Sequence, residues 1–238
     1  MQLPTSSVPA SAESVRVHPV RSLGGTVCLP GSKSITNRAL LMAALAEGDS
    51  VIRNALDCDD SRYLIEALTR LGVEIRRDDA RGAISVRGTG GPFPVKEGEI
   101  FLGNAGTALR FLTAALSACG GNYVVDGDRR MRERPIADLV KALAALGGAI
   151  SAPTGCPPVK IGPRPFIGGR VDIPGSVSSQ FISAILMAAP LASRRVEVRV
   201  TGEMVSRPYI DLTLQGMRDF GAKAFADEGA RLCLSDRR

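Results

Sequence analysis

A glycine followed by small polar residues and an apolar helical run recurs three times in this 238-residue chain, every 72 residues. The phrases are Pro30-Gly31-Ser32-Lys33-Ser34, Leu102-Gly103-Asn104-Ala105-Gly106-Thr107 and Pro174-Gly175-Ser176-Val177-Ser178-Ser179. Ala/Leu-rich stretches follow at 38–46, 108–118 and 181–189, and a second helical stretch then closes at Leu71-Gly72, Leu146-Gly147 and Phe220-Gly221. Three copies of one unit predict an α/β fold of three pseudo-threefold βαβαββ repeats. The first helix of each unit is apolar nearly all round, so these helices belong in the middle. Symmetry then brings their N-termini to one end, where backbone N–H groups favour an anion.

Local signals place the elements. In the first unit, residues 26–29 read as a strand, Ser34 as the cap of a helix that Gly48 ends, and Val51-Ile52 as a strand. Asp60 or Ser61 is expected to cap the second helix, whose apolar face is Leu64, Ile65, Leu68 and Leu71. Strands at 73–75 and 83–86 follow. The second unit has strands at 123–125, 149–150 and 159–161, with Pro135 in the first turn of a helix striped by Ile136, Leu139, Val140, Leu143 and Leu146. The third has strands at 171–173, 196–200, 222–225 and 232–234, with helices from Ser179 and from Ser206-Arg207-Pro208-Tyr209 to Phe220. Residues 1–14 read as a flexible tail rather than a signal peptide. Residues 15–30 read as opening strands and crossover, and 31–238 as the three-repeat lobe.

Composition excludes several chemistries. His18 is the only histidine and the five cysteines are scattered, never as Cys-x-x-Cys, so a metal centre, a disulfide framework and a histidine-based triad are not expected. Proton transfer would fall to Lys, Asp, Glu, Arg or water. The cysteine usage points to a reducing cytoplasm. No apolar run is long enough to span a bilayer. The formal charge of +6 favours an anionic partner.

Lys33 and Arg38 flank the first helix start, with Ser32 and Ser34 between N–H donors, a combination that suits phosphate. The spacing is neither a Walker A loop nor a dinucleotide fingerprint. At the second start, Asn104, Gly106 and Thr107 let a ligand approach the backbone, with Arg110 one turn on. At the third, Ser178, Ser179 and Gln180 offer hydroxyls and an amide. In the run 129–135, Arg134 precedes a helix, where its fork can clasp a carboxylate or phosphate. Ser206 and Tyr209 hold the corresponding place in the third unit.

Together the motifs 29–40, 103–108, 132–136, 174–181 and 206–211 resemble the 5-enolpyruvylshikimate-3-phosphate synthase family, in that order and across nearly everything after residue 14. The resemblance implies one lobe of the enolpyruvyl transferase fold. It also implies transfer of the enolpyruvyl group of phosphoenolpyruvate to the 5-hydroxyl of shikimate 3-phosphate, releasing phosphate, without cofactor or metal. By this resemblance shikimate 3-phosphate is held by Lys33, Ser34, Arg38, Ser178, Ser179, Gln180, Ser206 and Tyr209. Phosphoenolpyruvate is held by Lys33, Asn104, Gly106, Thr107, Arg134 and Gln180, with Lys33 as the catalytic group between the two. Gly106-Thr107 resembles the family's glyphosate-sensitive pattern. Family members have two lobes, so this chain is expected to match the first, to bind substrate without turnover, and to need the other lobe as partner. In relatives the opening strand, here about 14–20, belongs to that other lobe. The lobe is expected to be a cytoplasmic monomer.

Rival readings are the sister enolpyruvyl transferase acting on UDP-N-acetylglucosamine, an RNA-binding repeat domain, and a non-catalytic anion-binding module. The first expects a reactive cysteine in the loop 119–134, where only Cys119 stands, at an apolar helix end. The second needs exposed aromatics, yet the chain has seven Phe, three Tyr and no Trp, mostly on apolar faces. Nucleic acid and membrane are therefore not expected partners.

Overall fold

A computed structural model describes residues 14, 16, 18, 19, 22, 24–78, 81–226 and, for backbone alone, 231–234. The first unit comprises α1 (Lys33–Leu45), β1 (Glu47–Arg53), α2 (Asp59–Arg70), β2 (Glu74–Asp78) and β3 (Ala83–Thr89). The second comprises β4 (Glu97–Phe101), α3 (Gly106–Cys119), β5 (Asn122–Asp126), a 3-10 turn (Met131–Glu133), α4 (Ala137–Ala145), β6 (Ile150–Ser151) and β7 (Val159–Ile161). The third comprises β8 (Gly169–Pro174), α5 (Ser179–Ala188), a 3-10 turn (Ala189–Leu191), β9 (Val196–Thr201), α6 (Arg207–Asp219), β10 (Ala224–Ala226) and β11 (Arg231–Leu234).

The repeat is real but its first copy is one strand short. Sheets two and three run β4-β5-β7-β6 and β8-β9-β11-β10, each with its first strand parallel to the second. Sheet one is β1-β3-β2, wholly antiparallel. The strand expected at 26–29 does not form: Val27 and Leu29 are 80% and 78% exposed, and no described strand lies beside them. Of the expected opening strand, residues 15, 17 and 20 lie outside the described residues, and 14, 16, 18 and 19 carry no regular structure. The expected tail lies outside them too, except residue 14.

α1, α3 and α5 form the centre as expected. Every residue of α3 but Arg110 is buried, because Ala and small polar side chains let neighbouring helices close on all its faces. α2, α4 and α6 cover this centre with one-sided apolar stripes such as Leu64, Ala67 and Leu68, or Ile210, Leu214 and Met217. All three close on the same device. Gly72, Gly147 and Gly221 have φ of 93°, 105° and 84°. The next residue's N–H then bonds back to Leu68, Leu143 and Met217. This is the Schellman pair, and the left-handed turn explains the glycine.

Several boundaries differ from the sequence reading. α1 is capped at Ser32, not Ser34, and ends at Leu45, so Gly48 lies inside β1. α2 is capped at Cys58. Ser61 is its third residue, and its hydroxyl accepts the Cys58 N–H at 3.0 Å while donating to the Leu56 carbonyl at 2.7 Å. Pro135 stands outside α4, whose cap is Ile136. Side-chain capping chemistry is permissive within a turn, and the long-range packing chose the register.

Candidate functional site

Arg38 meets residues in the first two turns of α3, α5 and α6. It is the sixth residue of α1 and only 3% exposed. Its guanidinium lies 4.9 Å from the ring of Phe111, the sixth residue of α3, and 3.0 Å from the hydroxyl of Ser183, the fifth of α5. All three residues lie within the first two turns of their helices, and the bond from Arg110 of α3 to Gln180 of α5 sets the starts of those two helices side by side.

The sequence reading placed Arg38 beside a ligand as a cation. The structure buries it as a strut. Nε donates to Thr213 Oγ1 at 2.7 Å, Nη1 to the Ser34 carbonyl at 3.0 Å and Nη2 to Ser183 Oγ. Thr213 donates its one proton to the Tyr209 carbonyl at 2.7 Å, which leaves Ser183 to donate across the 2.9 Å contact to Thr213. The Tyr209 ring stacks 5.6 Å from the guanidinium. Burial pushes the Arg38 pKa down to about 10, so it stays charged at neutral pH. Ser183 and Thr213 were missed as functional residues because they sit inside helices with no local signal beyond a hydroxyl on a buried face.

A second cluster is open to solvent. Arg110 Nη1 donates to Gln180 Oε1 at 2.6 Å, joining the starts of α3 and α5. Its guanidinium lies 5.4 Å over the Phe181 ring. Arg134, half-buried behind the 3-10 turn, lays its guanidinium over Gly106, where a Cβ would collide with it. A Cβ on Gly106 would also lie 3.3 Å from Arg110 Nη1. Burial lowers the Arg110 pKa, and the neighbouring Arg134 lowers it further. Two guanidiniums at the bare N-terminus of α3, neither paired with a carboxylate among the described residues, make a strongly electropositive spot. Ser178 caps α5 by accepting the Gln180 N–H at 3.2 Å, and Ser179 is buried beside it. Thr107 is buried and Asn104 exposed, its carbonyl taking the Gly106 N–H.

Lys33 stands apart from both clusters in its contacts. Nζ pairs with Asp60 Oδ1 on α2 at 3.1 Å and remains about half exposed. Asp60, read in the sequence as a cap, is thus the counter-ion at the first start. The Ser34 carbonyl is drawn inward by Arg38. Ser206 is exposed in the left-handed conformation (φ 57°) and Tyr209 is exposed one turn on. The structure therefore joins Gly106, Arg134 and Gln180 through Arg110, and joins Ser34 and Tyr209 through Arg38. Lys33 is the first residue of α1 and Ser206 precedes α6 as its cap. No group of three His, Cys, Asp or Glu side chains that could hold a metal occurs among the described residues, and no helix among them is long and apolar enough to cross a membrane.

Comparison with known proteins gives one answer. Residues 17–231 match the family model of EPSP synthase (3-phosphoshikimate 1-carboxyvinyltransferase). The chain is 51% identical over 213 residues to the 3-phosphoshikimate 1-carboxyvinyltransferase of Sulfurovum sp. (strain NBC37-1), covering 88% of this chain and 50% of that protein. It is 46% identical over 232 residues to the chloroplastic protein of that name from Brassica napus, covering 92% of this chain and 45% of the other. Among solved structures it superposes on EPSP synthase from Acinetobacter baumannii with a TM-score of 0.79 and 28% identity, over 90% of this chain and 48% of that one. The chain spans about half the length of the curated relatives it matches.

Proposed function

The chain belongs to the EPSP synthase family, and we propose that its helix starts form one wall of a site for the transfer of an enolpyruvyl group from phosphoenolpyruvate to the 5-hydroxyl of shikimate 3-phosphate. The observation that carries the reading is the pair Arg110–Arg134 over the side-chain-free N-terminus of α3, tied through Gln180 to the start of α5. Both substrates are anions of phosphate and carboxylate, and guanidinium forks with free helix N–H donors recognise both groups.

In this assignment Arg134, Gln180, Asn104, Thr107 and the Gly106 backbone hold phosphoenolpyruvate. Ser34, Ser178, Ser179, Gln180, Ser206 and Tyr209 hold shikimate 3-phosphate. Lys33 reaches between the two and is the catalytic candidate. In the transfer the 5-hydroxyl oxygen bonds to C2 of phosphoenolpyruvate while C3 takes a proton. The tetrahedral adduct then loses phosphate and a methyl proton, restoring the enol ether. Arg38 serves behind the wall, holding α1 against α5 and α6 so that Ser34 and Tyr209 keep their places. The remaining guanidinium N–H groups are all it has left for a ligand.

The three units act as one lobe, 31–238, and as a monomer in the cytoplasm. Steady turnover draws on the half of the relatives' length that this chain does not match, because developing charge must be met from both sides of the reacting centre. The test is a titration of the 238-residue chain with shikimate 3-phosphate followed by amide NMR, beside an assay alone and with the C-terminal half of the Sulfurovum enzyme added. The reading expects shifts at Ser34, Gly106, Ser178 and Ser206, no turnover alone and turnover on addition. Shifts confined to one helix start, or turnover by the chain alone, would contradict it. The cysteine expected of the sister transferase has no counterpart in the second unit's loop, since Cys119 is buried at the end of α3.

A further inference from the structure

Gly103, the second of the three repeated glycines, is held differently from the other two. In units one and three the glycine rests on the turn that follows a neighbouring strand: Gly31 on the Asn54 carbonyl after β1, and Gly175 on that of Glu203 after β9. In unit two the contact is reversed, and Gly127, just after β5, rests on the Gly103 carbonyl. Gly103 itself has a φ of 51°, in the left-handed region that neither Gly31 nor Gly175 adopts. Its missing side chain makes room for the ring of Tyr63, which comes from α2 of unit one. Cε2 and Cζ of that ring are the nearest atoms. The ring also meets Phe101, the last residue of β4, edge to face with centroids 6.0 Å apart.

The same glycine anchors the loop that carries Arg134. The Asp128 N–H donates to the Gly103 carbonyl at 3.0 Å. Asp128 then opens the 3-10 turn. Its Oδ1 accepts the Met131 N–H at 2.9 Å, and its carbonyl accepts the Arg132 N–H at 3.1 Å. Met131 is buried and closes on Gly127, where a side chain would strike it. The Arg134 N–H ends the turn by donating to the Met131 carbonyl at 3.0 Å. From there the Arg134 guanidinium returns over Gly106, three residues beyond Gly103. The Ala105 N–H donates to the Leu102 carbonyl at 2.9 Å, so the backbone between the two glycines is itself a closed turn. The path from Gly103 through Asp128 and Arg134 to Gly106 is thus a closed circuit, braced by a ring from another unit.

We propose that Tyr63 and Asp128 are positioning residues for Arg134, acting through Gly103 to fix its guanidinium over the start of α3. The proposal rests on the assignment of Arg134 and the Gly106 backbone to phosphoenolpyruvate. Tyr63 acts by shape: its ring occupies the space into which the backbone at Gly103 would otherwise move. Asp128 acts by hydrogen bonding: its carboxylate satisfies a donor at the start of the 3-10 turn and so sets where the turn ends. A guanidinium fork recognises an anion at a fixed distance and orientation, and a displacement of about 1 Å forfeits much of that fit. Asp128 is exposed and Tyr63 half-buried, so each can be replaced without emptying the core.

Paired substitutions in the 238-residue chain test it. Tyr63→Leu removes the ring and Tyr63→Phe keeps it. Asp128→Ala removes the acceptor of the Met131 N–H and Asp128→Asn keeps one. Nuclear Overhauser contacts between the Arg134 side chain and Gly106 report its position without any ligand. Calorimetric titrations report affinity, with Arg134→Ala as the reference. Tyr63→Leu and Asp128→Ala should each lose those contacts and weaken phosphoenolpyruvate about fivefold or more, while shikimate 3-phosphate stays within about twofold. Tyr63→Phe and Asp128→Asn should keep both the contacts and the affinity. Contacts that survive Tyr63→Leu, or survive Asp128→Ala, overturn the role of that residue. Equal weakening of the two ligands means a general loss of structure and overturns the proposal. So does unchanged phosphoenolpyruvate affinity in both variants when Arg134→Ala weakens that ligand. Should Arg134→Ala itself leave the affinity unchanged, the substrate assignment fails instead, and the contacts alone uphold or reject the positioning of Arg134.

Discussion

The guanidinium of Arg134 fills the space into which a side chain on Gly106 would project. The residue that leaves the N-terminus of α3 bare is thus also what lets this cation lie against the helix start. A Gly106→Ala change must push Arg134 aside. The obstructing atom is the far end of a flexible side chain, so the melting temperature should move by no more than a few degrees. Losing one charge-assisted contact should weaken phosphoenolpyruvate about tenfold or more while leaving shikimate 3-phosphate within threefold. Calorimetric titration of both ligands onto parent and variant checks this. Unchanged phosphoenolpyruvate affinity would remove Arg134 from the site.

Arg38 should behave as a core residue. Arg38→Ala strands the Ser183 and Thr213 hydroxyls and empties the space between Phe111 and Tyr209, at a cost of about 3–5 kcal/mol. Ser183→Ala leaves one buried N–H unpaired, at about 1–3 kcal/mol. Denaturant unfolding monitored by circular dichroism gives both values. An Arg38→Ala variant as stable as the parent would show that the network holds nothing together.

Asp60 restrains Lys33. The pair is exposed on the lysine side, so Asp60→Ala should cost no more than about 1 kcal/mol in stability. With its counter-ion gone, Lys33 should attract anions better, raising the affinity for inorganic phosphate roughly two- to fivefold at low salt. Lys33→Ala should lower it by a similar factor. Phosphate titrations read by NMR at the Ser34 amide decide the matter, and no response to either change would place Lys33 outside the anion site.

Acid should loosen the surface pairs. The Arg62 hydrogen bond, with Arg77 nearby, holds the Asp57 carboxyl down to about 2. Asp172 is held below its ordinary value by hydrogen bonding to Arg199. For Asp126, burial pushes upward, but the Arg132 pair and the Gly127 N–H outweigh it. Carboxyls depressed in the folded state bind fewer protons than in the unfolded one, so their stabilisation is complete above their ordinary pKa near 4 and is lost as pH falls towards 2. Melting temperatures between pH 5 and pH 2 should fall accordingly. Asp57→Asn should flatten that slope, and an unchanged slope would show that the pair does not contribute.

Thiol chemistry should separate two cysteines. Burial pushes Cys119 up to about 11, while Cys28 is exposed. A disulfide reagent at pH 8, followed by mass spectrometry, should label Cys28 within minutes and Cys119 only after unfolding. Early labelling of Cys119 would mean that the C-terminal end of α3 opens.

Much of this architecture was legible in the residues. The 72-residue recurrence of Gly31, Gly103 and Gly175, the all-apolar first helices and the glycines closing the second ones gave the threefold plan. Caps were read less well. Ser32, Ser34, Cys58, Asp60 and Ser61 all have capping chemistry within one turn, and nothing local separates them.

The sequence alone determined what each unit is, because helix periodicity, Schellman glycines and alternating strands depend on neighbours a few residues apart. Only the tertiary structure decided what the charged residues do. Arg38 became a strut because Ser183 and Thr213, 145 and 175 positions away, arrive at its guanidinium. Lys33 acquired Asp60, and Arg134 came to rest on Gly106, by contacts of the same non-local kind. A cation reads the same in sequence whether it faces water or a hydroxyl in the core, and burial and partners, which separate the two, exist only once the three units have packed.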